Sequence, residues 1–501
     1  MFGIVGYGGY VPRLRLSRRA VADANAWYAP QFAGKGKGTR AMTNWDEDSI
    51  TMAVAAARDC LGAGADRGRV RSVYLASSTL PFVERLNAGV VCEALTLSED
   101  VDAVDIVGSQ RAALSAIGEA VAKARAIDGD VLVLAADNRK TRAASSQELD
   151  FGDAAAALLV GSQNVIAEYL GASTLSVDFV DRFRMAGEEI DYHWEERWVR
   201  DEGIGKMMPQ VIAAALRAGG VQPAQVDHFI FPTTFQKMDA QLAKKCGVRA
   251  DAVVDGLAEG IGETGVAHGL LMLAKLLETA RPGALVLVAQ FGSGAQAAVF
   301  RVTDAIGSFR PLRGVSGWQA RGVEERSYTK FLSFKDQLRL ERGMRGEQDK
   351  KTALSTAYRH KAAILGLVAG RCEVTGSVHY PPSRISYDQG RPLQDTQRPH
   401  KLADRQARVL SWSAEYLSFH MSPPNYYGQV DFDGGGRILM EFTDVAKGDI
   451  EAGTEVEMVF RVKDVDERRG FTRYFWKATP VTPASRAPMP AMAATLDKVQ
   501  E

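Results

Sequence analysis

Apolar residues cluster in this chain into short unbroken runs separated by helix-period segments. Asp130–Asp137 (DVLVLAAD) and Ala284–Phe291 (ALVLVAQF) are near-continuous apolar runs of strand length, the pattern of strands buried on both faces. A helical segment precedes each. Ala113–Ala126 places Leu114, Ile117 and Val121 on one face, and Leu270–Leu277 is apolar throughout, as helices packed between sheets require. These helices open from two Gly-containing loops, Gly108-Ser109-Gln110-Arg111 and Gly262-Glu263-Thr264-Gly265. A shift of about 154 residues superimposes these segments and also lays Val73–Ser78 onto His228–Thr233, so the chain carries an internal repeat. The strand Gly3–Tyr7, a helix near Glu47–Leu61 and the strand Ala155–Val160 fill out the first copy. In the second, Thr174–Val180 replays the first strand and Lys206–Ala218 the helix. Such alternation predicts a layered α/β fold. Residues 1–305 therefore read as two copies of one unit, about 1–165 and 166–305, sharing a central site.

After Asp304 the pattern changes. Arg310–Arg345 is Arg-rich with scattered aromatics and Glu347–Lys351 is charged, so residues 306–364 read as a helical connector. Over 365–482 short β segments recur between turn signals: Val374–Tyr380, Arg408–Tyr416, Gly436–Phe442, Thr454–Val462 and Phe471–Ala478. That spacing predicts a small β-barrel. The Pro/Ala/Met-rich tail 483–501 reads as disordered.

Charge narrows the partner. Lys+Arg 61 against Asp+Glu 61 leaves no global field for nucleic acid or an anionic membrane, so a phosphate-bearing ligand would need a local cluster. The four cysteines, Cys60, Cys92, Cys246 and Cys372, form no CxxC pair. Met1-Phe2-Gly3-Ile4-Val5 enters a strand with no basic leader. A cytoplasmic, reduced location is the expectation.

The run Gly3-Ile4-Val5-Gly6-Tyr7-Gly8-Gly9-Tyr10-Val11-Pro12, the loop Gly262-Glu263-Thr264 and the turn Phe291-Gly292-Ser293-Gly294 resemble the thiolase superfamily, in its 3-hydroxy-3-methylglutaryl-CoA synthase and ketoacyl synthase branch. Residues 365–480 resemble the OB-fold domain, usually preceded by a zinc ribbon, that accompanies acyl-CoA thiolase-like proteins. The resemblance implies a duplicated α-β-α-β-α fold with a C-terminal OB-fold barrel, coenzyme A as part of the substrate, no bound cofactor and a homodimer, with further thiolase-like subunits as possible partners. It also implies a cysteine nucleophile, a histidine and an asparagine. On the family pattern Gln110 stands at the cysteine, Pro232 or Thr233 at the histidine, Glu263 at the asparagine, and Ser78 at the glutamate base of the methylglutaryl synthases. All four differ, which argues against methylglutaryl-CoA synthesis and ordinary thiolysis. Of the ribbon's two CxxC pairs only Cys372 remains, so zinc is not expected.

A thiolase cysteine stores an acyl group between half-reactions; retro-aldol cleavage of a 3-hydroxyacyl-CoA needs no such store. It needs a base and a site for the thioester enolate. Gln110, at a helix start, is the candidate oxyanion donor, and Glu263 or His268 the base, Glu263 with a pKa raised by an apolar tunnel. The plainer alternatives are a cap for Glu263, a core histidine for His268 and a packed polar residue for Gln110. Ser78, Thr233, Gly292 and Ser293 are candidate substrate contacts. Lys237, Arg184 and Arg197 are candidate anchors for CoA phosphates. Asp153 reads as a turn residue, Tyr192-His193-Trp194 as an aromatic cluster, and Pro423–Gly428 as a rigid aromatic run. The barrel is expected to cover the mouth of the tunnel or seal a dimer. The activity these residues favour is a carbon–carbon lyase on a CoA thioester. The alternatives are a decarboxylase or atypical Claisen enzyme, and a non-catalytic acyl-CoA-binding subunit.

Overall fold

The repeat in the sequence is a repeat in the sheet. The computed structural model describes residues 1–62, 67–193, 195–343, 351–388 and 390–481; Trp194, most of Glu347–Lys351 and the tail 483–501 lie outside these. The first half contains β1 (Gly3–Tyr10), α1 (Ser49–Leu61), β2 (Val70–Ala76), β3 (Asp102–Ile106), α2 (Ala112–Ala126), β4 (Asp130–Asp137) and β5 (Ala154–Gly161). The second contains β6 (Ala167–Ser176), α3 (Gly205–Ala218), β7 (His228–Ile230), α4 (His268–Leu277), β8 (Leu285–Phe291) and β9 (Gly294–Val302). The strands join in the order β7-β8-β9-β6-β1-β5-β4-β2-β3. Read outward from the centre, β1-β5-β4-β2 and β6-β9-β8-β7 are the same sequence of partners; β3 extends the first half, and a single parallel bridge from Phe229 to Val253 stands at the matching edge of the second.

Helices complete the layers. α1 covers β1, β5 and β4 from outside, and α3 covers β6, β9 and β8. α2 and α4 touch each other and strands of both halves, so they form the middle layer. β4 is buried along its whole length, as its unbroken apolar run requires. The glycines of β1 permit close packing: a Cβ on Gly8 would lie 2.4 Å from the backbone N of Cys60 in α1. α1 starts at a capping box, in which Asp48 accepts from Thr51 N at 2.9 Å and Thr51 Oγ1 accepts from Asp48 N at 2.8 Å.

The strand expected at Thr174–Val180 is instead β6, Ala167–Ser176. Small Ala, Gly, Ser and Thr residues separate its few larger ones and most positions are half-buried, so they leave no apolar run to read. The connector is not a separate layer. Val323–Glu325 pairs in parallel with Leu14–Ser17, and the helix Tyr328–Phe334 buries Phe331 and Phe334 beside Leu16, Val21 and Phe32. Lys335 then reaches Asp153 at 2.7 Å, with both side chains buried. Asp153 is thus an ion-pair partner rather than a free turn residue.

In the C-terminal region β10 (Ala407–Glu415), β11 (Asn425–Phe432), β12 (Arg437–Glu441), β13 (Glu455–Asp466) and β14 (Phe471–Pro480) form an antiparallel sheet ordered β12-β11-β10-β13-β14. A bridge between Phe442 and Ala478 brings its ends together, as a barrel demands. The Pro423–Gly428 run leads into strand β11, which the sequence reading missed because of its two prolines. Cys372 ends the strand Val368–Cys372, its Sγ 3.2 Å from Thr396 Oγ1. Among the described residues no group of three or more His, Cys, Asp or Glu is placed to hold a metal, and no helix is long and apolar enough to cross a membrane.

Barrel and α/β region meet across buried charge. Arg461 lies 2.9 Å from Glu47, 2.9 Å from Asp444 and 3.7 Å from Asp46, and Lys477 lies 3.0 Å from Asp46. Nearby, Arg58 donates to the Ala403 carbonyl at 2.7 Å and Arg313 holds Glu457 through two bonds of 2.6 and 2.7 Å.

Candidate functional site

Between the halves, where α2 and α4 begin, lies a cavity of about 160 Å³. Gln110 reaches it from the turn before α2, Glu263 and Gly265 from the loop before α4, and Gln290 and Phe291 from the end of β8. Thr233 and Phe231 follow β7, Phe151 comes from a connecting segment, and Arg182 and His193 stand opposite each other where Arg182–Phe183 pairs antiparallel with Tyr192–His193. Strand ends and helix starts converge here because the duplicated unit places both at one end of the sheet. None of the four cysteines lines the cavity.

Gln110 is held from one side. Ser109 Oγ donates to the Gly292 carbonyl at 2.8 Å, and a Cβ on Gly292 would stand 3.0 Å from Gln110 Cβ. Gly292 is therefore part of the seat for Gln110, and Ser293 donates its backbone N–H to Asp181 at 3.3 Å. The Oε1 atoms of Gln110 and Gln290 are both buried without a hydrogen-bond partner among the described residues. Two unsatisfied amides on one small cavity stand out, since nearly all buried polar groups are paired. Gly269 makes room for the second: a Cβ there would meet Gln290 Nε2 at 2.5 Å.

Glu263 departs from the raised-pKa expectation. Burial alone would push its carboxyl up, but Arg139, His268 and Arg182 outweigh burial and bring it down to about 2. The Arg139 guanidinium bonds Glu263 directly, and its Nη2 also donates to the Glu263 carbonyl at 2.8 Å. Gly265 N–H donates to Glu263 Oε1 at 2.8 Å. Glu263 is thus a fixed anion rather than a base poised near neutrality. Arg139 in turn sits 3.6 Å over the Phe151 ring.

His268 is absent from the cavity wall. Its Nδ1 accepts from Thr264 N–H at 3.1 Å and its Nε2 lies 2.9 Å from the Gly256 carbonyl, so it is a fully bonded core histidine, its pKa lowered by burial against the opposing pull of Glu263. Ser78 is also engaged elsewhere: its N–H and Oγ donate to Asp137 at 2.7 and 3.0 Å. Thr233 lines the cavity, though its Oγ1 accepts from Phe235 N–H at 3.1 Å. Of the proposed phosphate anchors, Arg184 is bound to the Ser78 carbonyl and lies 3.5 Å from Asp191. Arg197 is exposed beside Asp201 at 3.6 Å, one turn on, and Lys237 is an exposed left-handed residue before a short helix. None of the three lines the cavity. Nor does any barrel residue, so the barrel does not cover this site.

The sequence reading placed His193 only in an aromatic cluster and did not single out Arg182 or Gln290. His193 lines the cavity with its ring 5.8 Å from that of Phe151. Burial, then Arg182, lowers its pKa below the ordinary histidine value, which leaves a neutral imidazole near pH 7. Arg182 lines the same wall, 3.9 Å from Asp191. No local signal marks either residue, because the paired strands that hold them are only two residues long.

Known proteins fall in line with this geometry. Residues 216–302 match the family described as 3-oxoacyl-[acyl-carrier-protein (ACP)] synthase III C terminal, and residues 400–461 match the ChsH2 C-terminal OB-fold domain. Among solved structures, a 3-oxoacyl-[acyl-carrier-protein] synthase III from Aquifex aeolicus is similar with TM-score 0.53 and 19% identity, over 60% of this chain and 100% of that one. A hydroxymethylglutaryl-CoA synthase complexed with CoA is similar with TM-score 0.56 and 17% identity, over 70% and 95%. These establish a thiolase-like fold carrying an OB-fold domain. In sequence, the hydroxymethylglutaryl-CoA synthase of Aeropyrum pernix is 30% identical over 316 residues, covering 62% of this chain and 87% of that protein. That of Caldivirga maquilingensis is 28% identical, covering 68% and 99%. The chain belongs to the hydroxymethylglutaryl-CoA synthase family.

Proposed function

We propose that this protein is a carbon–carbon lyase that cleaves 3-hydroxyacyl-CoA thioesters by a retro-aldol route. The observation that carries the reading is a cavity at the starts of α2 and α4 lined by no cysteine and by two glutamines whose Oε1 atoms find no partner among the described residues. His193, neutral near pH 7, removes the 3-hydroxyl proton. The Cα–Cβ bond breaks, the carbonyl fragment leaves, and the electron pair passes into the thioester as an enolate. The Gln110 amide N–H and the Arg182 guanidinium, both on the cavity wall, stabilise that anion. Glu263 stays ionised and orients Arg139; in this scheme it moves no proton. Protonation at Cα then releases the shortened thioester.

Decarboxylation of an acyl-CoA passes through the same enolate, and the Gln110 site serves it equally; an atypical Claisen condensation uses that carbanion in the forward sense. The edge strand β3, with the exposed apolar residues Val104 within it and Val107 just after it, suits the homodimer that the resemblance implies. Incubation with a panel of 3-hydroxyacyl-CoAs tests the reading: aldehyde or ketone plus a shortened CoA ester is the expected outcome. Loss of carbon dioxide instead selects the decarboxylase. A covalent acyl adduct on the polypeptide refutes both, and CoA-ester binding without any product leaves a non-catalytic subunit.

A further inference from the structure

A cavity of about 1080 Å³ opens at the seam of the barrel and shares no residue with the central cavity. Its volume is near the top of the roughly 300–1,000 Å³ that small-molecule sites enclose. β12 and β14, the edge strands of the barrel sheet, both line it, and the bridge from Phe442 to Ala478 ties their ends together. The helices Asn87–Ala94 and Leu354–Arg359 supply further wall. Leu86, Val90, Leu354, Tyr358, Leu439 and Phe475 make much of the lining apolar. Most charged side chains there are paired within the protein: Lys361 with Glu93, Lys463 and Lys477 with Glu441, and Arg473 with Asp464. Arg85 is the exception. Its guanidinium lies 4.5 Å from the Phe82 ring and 4.8 Å from that of Phe471, but ring faces occupy none of the N–H donors in the guanidinium plane. It forms no hydrogen bond or ion pair among the described residues; Nη1 is closed off, whereas Nε and Nη2 are not. Burial lowers its pKa, and the group that opposes this is the Tyr474 hydroxyl rather than a carboxylate.

We propose that this cavity binds an unbranched long-chain carboxylate, its head accepting hydrogen bonds from Arg85 and its chain lying against the apolar wall. One unpaired cation calls for one negative charge, and a phosphate dianion would lack a second. A neutral lipid would leave the guanidinium unmatched, at the cost that attends a desolvated charge. A coenzyme A ester spends its carboxylate in the thioester and brings several phosphate charges, which a single arginine does not balance. The site shares no group with the lyase reading, and neither depends on the other.

Calorimetric titration of the full chain with dodecanoate, dodecanol, octanoate and dodecanoyl-CoA, each below its micellar concentration, tests the site. Dodecanoate is expected to bind at least about tenfold more tightly than dodecanol, from hydrogen bonds between charged groups. Over octanoate the margin should again be at least about tenfold, since each buried methylene is worth roughly fourfold in affinity. Arg85→Met keeps the stem that packs on Phe82 and Phe471 but removes the charge; it should erase the preference over the alcohol and leave the alcohol's own affinity unchanged. A second variant guards against a folding effect. Leu354→Glu, at a half-exposed position on the wall, puts a like charge in the cavity and should weaken dodecanoate about fivefold or more, with an unchanged denaturation midpoint. Equal affinity for acid and alcohol in the native protein, or dodecanoate binding that neither variant alters, overturns the site. Displacement of dodecanoate by dodecanoyl-CoA overturns it too, because the thioester would then be the ligand.

Discussion

The two halves end the same buried strand differently. β4 finishes on Asp137, which is fully buried and accepts from Ser77 Oγ at 3.1 Å, Ser78 N and Oγ at 2.7 and 3.0 Å, Thr79 Oγ1 at 3.2 Å and Val266 N at 2.8 Å. The repeat-equivalent position on β8 is Phe291, and the loop equivalent to Ser77-Ser78 is Pro232-Thr233. In one half the strand end is a hydrogen-bond hub that pins its own loop and the start of α4. In the other, apolar and ring residues leave the same place open as cavity wall. Duplication thus lets one copy hold the other's opening in shape, and residues that look equivalent in sequence serve unlike ends.

Asp137→Ala tests the contrast most severely. It strands several buried donors at once, so about 3–5 kcal/mol of stability should be lost in chemical denaturation. Phe291→Leu, at the matching position, should cost less than about 1.5 kcal/mol. Similar costs at both positions would erase the distinction between hub and wall. Gln110→Ala comes next: turnover should fall about 100- to 1000-fold, while denaturation midpoints stay near native because the side chain satisfies no partner. A large stability loss without a turnover loss would return Gln110 to a packing role.

Smaller effects follow from pH. With the His193 pKa below its ordinary value, kcat/KM should hold steady from neutrality down past pH 6.5 and decline only in stronger acid, as the imidazole gains its proton. His193→Gln should abolish that acid limb along with most of the rate; an unchanged pH profile would exclude His193 as the base. For Glu263 the folded pKa lies below the unfolded one. Its stabilising contribution is therefore present above about pH 4.5 and is lost as pH falls towards 2. Glu263→Gln should flatten that part of the acid-unfolding curve, as followed by circular dichroism.

Much of this fold was legible because doubly buried strands write themselves as apolar runs, and because those runs occur twice. The same repeat brought out Gln110, Glu263 and Thr233, which the structure does gather on one cavity. β6 escaped because small, half-buried residues carry no run. The charge state of Glu263 escaped for a different reason: its controlling partner, Arg139, is 124 residues away, and no local pattern records a contact of that range. His193 and Arg182 share that limit, since strands of two residues are too short to leave a pattern in the sequence. His268 illustrates the converse. A histidine beside a candidate loop looked reactive, and its two ring nitrogens proved to be committed to Thr264 and Gly256.

The buried cations of the barrel carry a consequence for how this protein can be divided. Arg461 and Lys477 are shared between two sets of carboxylates, Asp46 and Glu47 from the opposite end of the chain and, at 2.9 and 3.2 Å, Asp444 and Glu441 of the barrel region itself. A barrel expressed by itself would keep Asp444 and Glu441 but lose Asp46 and Glu47, leaving part of its buried positive charge unmatched on what is now an interior surface, and the remainder would keep two carboxylates without their cations. The fusion is therefore a mutual dependence, in which neither piece is a finished molecule without the other.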